Sequence, residues 1–108
     1  MEIRTRFAPS PTGFLHVGGL RTALYNYIFA KKNNGTFVLR IEDTDQNRLV
    51  ENATEKLINS IKAFDLGFDE GPLINELYGP YLQSERLNIY KSYYLDLVKN
   101  QKAYICIV

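Results

Sequence analysis

Residues Ile3 to Ile41 read IRTRFAPSPTGFLHVGGLRTALYNYIFAKKNNGTFVLRI, and the way this stretch divides decides the fold. Ile3, Thr5, Phe7 and Ala8 form a short run that reads as a strand, buried on both faces near its end. Pro9 and Pro11 lack amide donors and end it. From Gly18 to Asn34, Leu20, Leu24, Tyr27 and Ile28 recur at helical spacing, which predicts a helix with those four on its apolar face. Lys31 and Lys32 make a cationic last turn, and Asn33-Asn34-Gly35 a stop. Thr36 to Ile41, TFVLRI, is rich in β-formers and returns as a second strand. Strand, helix and strand make a βαβ unit of an α/β protein. Such crossovers are right-handed, so the two strands run parallel with both carboxyl ends on one edge, where open α/β sheets bind ligands.

Two charge-bearing stretches therefore face one crevice. The first is Arg6 to Leu20, a loop punctuated by Pro9, Pro11 and Gly13 that enters a helix through His16-Val17-Gly18-Gly19. A helix amino terminus offers unpaired N–H groups and the positive end of the dipole, which suits a phosphate. A tight turn using Pro and Gly as punctuation is the commoner meaning of such residues. His16, a titratable donor beside glycines that permit close backbone approach, tips the reading toward an anion site. The spacing matches neither the G-x-x-x-x-G-K-[ST] phosphate loop nor G-x-G-x-x-G. The second stretch is Glu42-Asp43-Thr44-Asp45. Its oxygen ligands suit Mg²⁺ or Ca²⁺, but it lacks the length and glycine of a Ca²⁺ loop.

The rest of the chain gives two more helices. Asn52 and Glu55 have capping-pair spacing, and Leu57, Ile58, Ile61 and Phe64 form a core stripe running to Gly67. Phe68 to Pro72 and Tyr78 to Pro80 read as loop. A third helix, about Glu85 to Asn100, spaces Leu87, Tyr90, Tyr94, Leu97 and Val98 for amphipathic packing, a commoner use of tyrosines than a base-stacking platform. Ala103 to Val108, AYICIV, reads as an apolar strand that stops without a cap and points to a fragment.

The 108 residues suit one small domain, and 45% hydrophobic with 23% charged residues is ordinary globular composition. Neither disorder nor a membrane span is indicated, and MEIRTRFAPS has no signal-peptide organisation, so a cytoplasmic location is expected. Net charge is +1, divided as +3 over residues 1–50 and −2 over residues 51–108, which by itself does not announce nucleic-acid binding. The single cysteine excludes an internal disulfide.

RFAPSPTGFLHVGG resembles the first signature of the class I aminoacyl-tRNA synthetases, the His-Ile-Gly-His region, in the form used by bacterial-type glutamyl-tRNA synthetases. Leu39 to Asp45 (LRIEDTD), Asp69 to Pro72 (DEGP) and Gly79 to Arg86 (GPYLQSER) agree, in order and with family-like gaps. Gly19 stands where the general signature has its second His, and no Lys-Met-Ser-Lys-Ser-like stretch occurs.

The resemblance implies the first half of a Rossmann-like nucleotide-binding fold over residues 1–101, with residues 102–108 beginning the inserted acceptor-binding region. It implies ATP-dependent ligation of L-glutamate to tRNA(Glu) through glutamyl-adenylate, with Mg²⁺, in an enzyme that is monomeric when complete. By the same resemblance His16 is catalytic, and Pro11, Thr12, Gly13, His16, Gly18 and Gly19 hold ATP. Arg6, Ala8, Ser10 and Glu42 face glutamate, with Arg6 on the side-chain carboxylate and Glu42 on the α-ammonium, while Asp45 and Arg48 lie near the tRNA acceptor end. Read without it, Arg6 would be a surface strand residue and Glu42 a solvated carboxylate. Some relatives begin a zinc site here with Cys-x-Cys. Cys106-Ile107-Val108 lacks the second thiolate, so no zinc is expected, and Cys106 reads as buried and inert.

Two other readings stay open: a synthetase-like protein that glutamylates a modified tRNA base, and a non-catalytic nucleotide-binding or tRNA-associated module, which a naturally 108-residue chain would have to be.

Overall fold

The computed structural model describes residues 2–48, 50–75 and 77–107. Strand β1 (Arg4–Phe7) and strand β2 (Thr36–Leu39) flank helix α1 (Val17–Lys32), and the strands pair in parallel, Arg4 opposite Thr36 and Phe7 opposite Leu39. The expected βαβ unit is thus present. β1 is not buried on both faces: Arg4 and Arg6 are exposed, Thr5 is half-buried and only Phe7 is buried. Alternation explains the difference, because Thr5 and Phe7 face α1 while the arginines take the other side. The Thr5 hydroxyl donates to the Asn26 carbonyl of α1 at 2.9 Å.

Helix α1 packs on the sheet by a narrower stripe than its apolar spacing predicts. Ala23 and Ala30 are fully buried, with Leu20 and Tyr27 half-buried beside them, whereas Leu24 and Ile28 are exposed. The two alanines allow close approach, and the Tyr27 ring meets Phe37 of β2 edge-on, with centroids 5.9 Å apart. The helix ends as its sequence predicts. Asn34 takes a left-handed φ of 50°, the Gly35 amide returns to the Ala30 carbonyl at 2.8 Å, and the Asn34 amide to Lys31 at 3.2 Å. Gly35 is required sterically, since a Cβ there would lie 2.3 Å from the Ile3 carbonyl oxygen.

Helix α2 (Ala53–Ala63) buries Leu57, Ile58 and Ile61 as expected, but Phe64 is exposed. The Asn52–Glu55 capping pair does not form. Asn52 is left-handed, φ 58°, and its side chain makes no cap bond, because side-chain capping needs an extended backbone at that position. Asp65 rather than Gly67 supplies the stop, at φ 56°, with the Leu66 amide bonded to the Ile61 carbonyl.

The stretch 68–72 is more than a loop. The Leu39 amide donates to the Glu70 carbonyl at 2.9 Å and the Asp69 amide to the Phe37 carbonyl at 2.8 Å, so this segment lies along the free edge of β2. Ile41, next along, bridges Leu82 in parallel. The core gathers around β2: Phe37, Leu39, Ile41 and Ile61 are fully buried, with Phe7, Leu57 and Phe68 nearly so.

Helix α3 (Leu87–Lys99) follows a 3₁₀ turn, Gln83–Arg86, and differs most from expectation. None of its residues is buried, and Leu87, Tyr94 and Leu97 of the predicted stripe are exposed. Among the described residues its main side-chain tie to the sheet is the Tyr90 hydroxyl, which accepts from Arg40 at 2.5 Å. Residues 103–107 form no strand and are exposed, Cys106 among them, so the reading of a buried cysteine is corrected; Val108 lies outside the described residues. No helix of the described residues is long and apolar enough to cross a membrane.

Candidate functional site

Beyond their paired strands the two chains stay in step. The Arg40 amide donates to the Phe7 carbonyl at 3.0 Å, Glu42 to Pro9 at 2.9 Å and Val50 to Pro11 at 3.4 Å. These bonds carry the signature loop and the 42–45 stretch side by side off the carboxyl edge of the sheet, where the sequence places a crevice.

His16 is the cap of α1. Its backbone is extended, φ −93° and ψ 169°, and its Nδ1 accepts from the Gly18 amide at 3.1 Å. An accepting Nδ1 carries no proton, so the neutral ring holds its proton on Nε2. His16 is exposed, leaving that donor outside the cap bond. Gly18 is small for a reason the sequence reading did not reach: a Cβ there would meet His16 Cε1 at 2.8 Å. The glycine makes room for the imidazole, and its N–H is spent on the ring. Among the described residues the Val17 and Gly19 N–H groups have no partner and are open at this helix start.

A cleft of about 370 Å³ lies beside His16, lined by Phe7, Ser10, Thr12, Gly13, His16 and Gly19 among others. Four of the six residues assigned to ATP or to His16 catalysis thus share one cavity with Ser10. Pro11 is fully buried and lines a separate cleft of about 500 Å³ at the start of α2. Arg6 is exposed on the sheet face away from α1 and, with Ala8 and Glu42, does not line the cleft by His16. Among the described residues neither Arg6 nor Glu42 has an ion-pair partner.

The remaining charges near the edge are committed. Asp43 accepts from the Ser84 amide at 2.8 Å and from the Ser84 hydroxyl at 2.6 Å. Asp45 pairs with Arg48 at 2.5 Å in the turn Gln46–Arg48, and that bond holds the Asp45 carboxyl below its usual range. Among the described residues no three His, Cys, Asp or Glu side chains gather to hold a metal.

Sequence reading passed over a second set of residues that holds this edge up. Glu70 is buried, and its carboxylate accepts from Arg4 at 2.5 and 2.6 Å and from the Tyr81 hydroxyl at 2.6 Å. The Arg4 fork lowers the Glu70 pKa, overcoming burial, which acts to raise it; burial followed by the Glu70 bond raises that of Tyr81. Asp69 binds Lys31 at 2.7 Å and the Phe37 amide at 2.8 Å. Burial pushes the Asp69 carboxyl up, but those bonds outweigh it and leave it below the ordinary value. No sequence pattern links Arg4 to Glu70, 66 residues on.

A family model described as tRNA synthetases class I (E and Q), catalytic domain, matches residues 2–108. The chain belongs to the class I tRNA synthetases (E and Q). Among curated class I relatives, the glutamate--tRNA ligase of Chloroherpeton thalassium is 62% identical over 104 residues, 96% of this chain and 21% of that protein. That of Clostridium botulinum is 58% identical over 105 residues, 97% of this chain and 22% of the relative. A solved glutamate tRNA ligase from Elizabethkingia meningosepticum, in complex with its amino acid, superposes with a TM-score of 0.88 at 49% identity, covering 92% of this chain and 20% of that one. The chain spans about a fifth of the length of the relatives it matches. The fold is the first half of the Rossmann-like fold of class I synthetases, with a parallel sheet.

Proposed function

We propose that the protein carrying this chain is a glutamate--tRNA ligase, activating L-glutamate with ATP and transferring it to tRNA(Glu). The observation that carries the reading is the delivery of the His16 loop and the Glu42 loop to one sheet edge, stitched by the Glu42–Pro9 backbone bond, in a chain about 60% identical to proteins of that name.

The α-carboxylate of glutamate attacks the α-phosphorus of ATP in line, the bond to the β-phosphate breaks, and pyrophosphate leaves with its electron pair. His16, with its proton held on Nε2 by the cap bond, donates to the phosphoryl oxygens as charge builds, and the open Gly19 amide aids it. A terminal tRNA hydroxyl then attacks the glutamyl carbonyl and AMP leaves. Arg6 grips the substrate side-chain carboxylate through its fork, and Glu42 takes the α-ammonium. Ala8 and Ser10 flank them, Pro11, Thr12, Gly13 and Gly18 shape the nucleotide side, and Asp45 with Arg48 meets the acceptor end. Mg²⁺, when bound, would neutralise charge on the phosphates. The complete protein acts as a cytoplasmic monomer, and residues 102–108 begin the acceptor-binding insertion.

The test is charging of tRNA by the gene's full product with labelled glutamate and, separately, glutamine. Glutamate should be esterified to the tRNA end in an ATP-dependent reaction. Label fixed to an internal modified base instead, or glutamine used equally well, overturns the proposal.

A further inference from the structure

The geometry points to Asp43 and Ser84 as a positioning pair that fixes Glu42 for the substrate ammonium group without touching it. The inference rests on the proposed role of Glu42. Glu42 is held on its amino side by the bridge of Ile41 to Leu82: Ile41 donates to the Tyr81 carbonyl and accepts from the Gln83 amide, both at 2.9 Å, and the Ile41 side chain is fully buried. The Glu42 amide itself reaches Pro9 at 2.9 Å. The regular strand has already ended at Leu39, and without a further tie Glu42 would lie at the base of a free loop. Instead Asp43 spans back to the same segment that pairs with Ile41, taking both the amide and the hydroxyl of Ser84. Glu42 is therefore bracketed by two anchors to one neighbouring segment, residues 81–84.

The bracket also separates two adjacent carboxylates. With Asp43 turned to Ser84, one carboxylate of the pair is committed to the protein while Glu42 carries no ion pair among the described residues. Bonds to an ionised acceptor are short and directional, so two of them on one residue fix the backbone at its neighbour. A site misplaced by about 1 Å loses up to roughly 10²-fold in efficiency.

Aminoacylation by the full gene product, with glutamate and ATP varied separately, tests the pair. Ser84→Ala and Asp43→Ala should each raise the KM for glutamate on the order of tenfold and leave the KM for ATP unchanged. The double variant should be no worse than Asp43→Ala alone, since Ser84→Ala removes one of the two bonds that Asp43→Ala already removes. Ser84→Thr keeps the hydroxyl, and Asp43→Asn can accept from the Ser84 amide while donating to its hydroxyl; both should stay near wild type. Ser84→Cys preserves volume with a weaker bond and should show an intermediate rise, which carries the test if the alanine variants do not fold. An unchanged glutamate KM in Ser84→Cys or Ser84→Ala, equal rises in both KM values, or additive effects in the double variant overturn the inference. Failure of the wild-type protein to charge glutamate would instead overturn the proposed function.

Discussion

Replacing Glu70 by alanine should loosen the edge of β2 far from any substrate. Glu70 is 4% exposed, and its carboxylate accepts three bonds, two from Arg4 and one from the Tyr81 hydroxyl. Removing one partner of a buried ion pair costs about 3–5 kcal/mol. Arg4 is about one-third exposed and recovers water when released, which favours the low end. Tyr81 is 6% exposed, and its stranded hydroxyl keeps the figure from falling further. About 3 kcal/mol is the resulting magnitude, equivalent to roughly 150-fold in a local opening equilibrium. Amide hydrogen exchange measures it directly. The Leu39 amide, bonded to the Glu70 carbonyl, and the Phe37 amide, bonded to the Asp69 carboxylate, should exchange that much faster, while amides in the middle of α3 keep their rates. Glu70→Gln retains volume but loses the charge and one acceptor, so it should fall between. Acceleration of less than about threefold at Leu39 in Glu70→Ala would refute the reasoning and leave Glu70 a replaceable surface-like acid.

The same edge should be acid-sensitive. Because Glu70 and Asp69 titrate below their ordinary values of 4.5 and 3.8, their contribution is present above those values and lost as pH falls through the depressed folded ones, so Leu39 protection should decline only below pH 4.5. In the full gene product His16→Ala should slow adenylate formation by roughly 10²- to 10³-fold with little change in ATP affinity; an unchanged rate in single-turnover kinetics would confine His16 to ground-state binding. Arg6→Lys should not restore the discrimination between glutamate and glutamine lost in Arg6→Ala, since an ammonium lacks the planar fork; competition assays with both amino acids decide this. Gly35→Ala should destabilise by about 1–3 kcal/mol, because its Cβ would meet the Ile3 carbonyl at 2.3 Å, and a melting temperature equal to wild type would contradict it.

Hydropathy spacing and punctuation made the βαβ unit legible, down to the Asn33-Asn34-Gly35 stop of α1. Spacing says which residues share a helical stripe but not how wide the contact is, so Leu24 and Ile28 were placed inward when Ala23 and Ala30 do the packing. Capping reads as a residue type but is decided by backbone angles, and Asn52 fails as a side-chain cap at φ 58°. Stretch 68–72 looked like loop because Gly71 and Pro72 mask pairing that runs through main-chain atoms. The site was legible where it depends on local order, as in His16 before Gly18 and Gly19. Glu70 with Arg4 and Asp43 with Ser84 were not, since the partners lie 66 and 41 residues apart and no periodicity links them. In α3 and 103–107, apolar character was read as burial, but the described residues supply little to cover it.

The Arg4–Glu70 fork also sets an order of folding. Taken from the unfolded chain it must close a 66-residue separation. Once β1 lies on β2, Arg4 is already beside Thr36, and the loop left to close runs only from there to Glu70, about half as long. Halving a loop saves only about 0.6 kcal/mol of closure entropy, so the larger gain is orientational: the guanidinium is already fixed on a strand. The crossover therefore forms first and the fork seals it afterwards. Mutations in the α1–sheet contact should slow folding, whereas loss of Glu70 should chiefly speed unfolding.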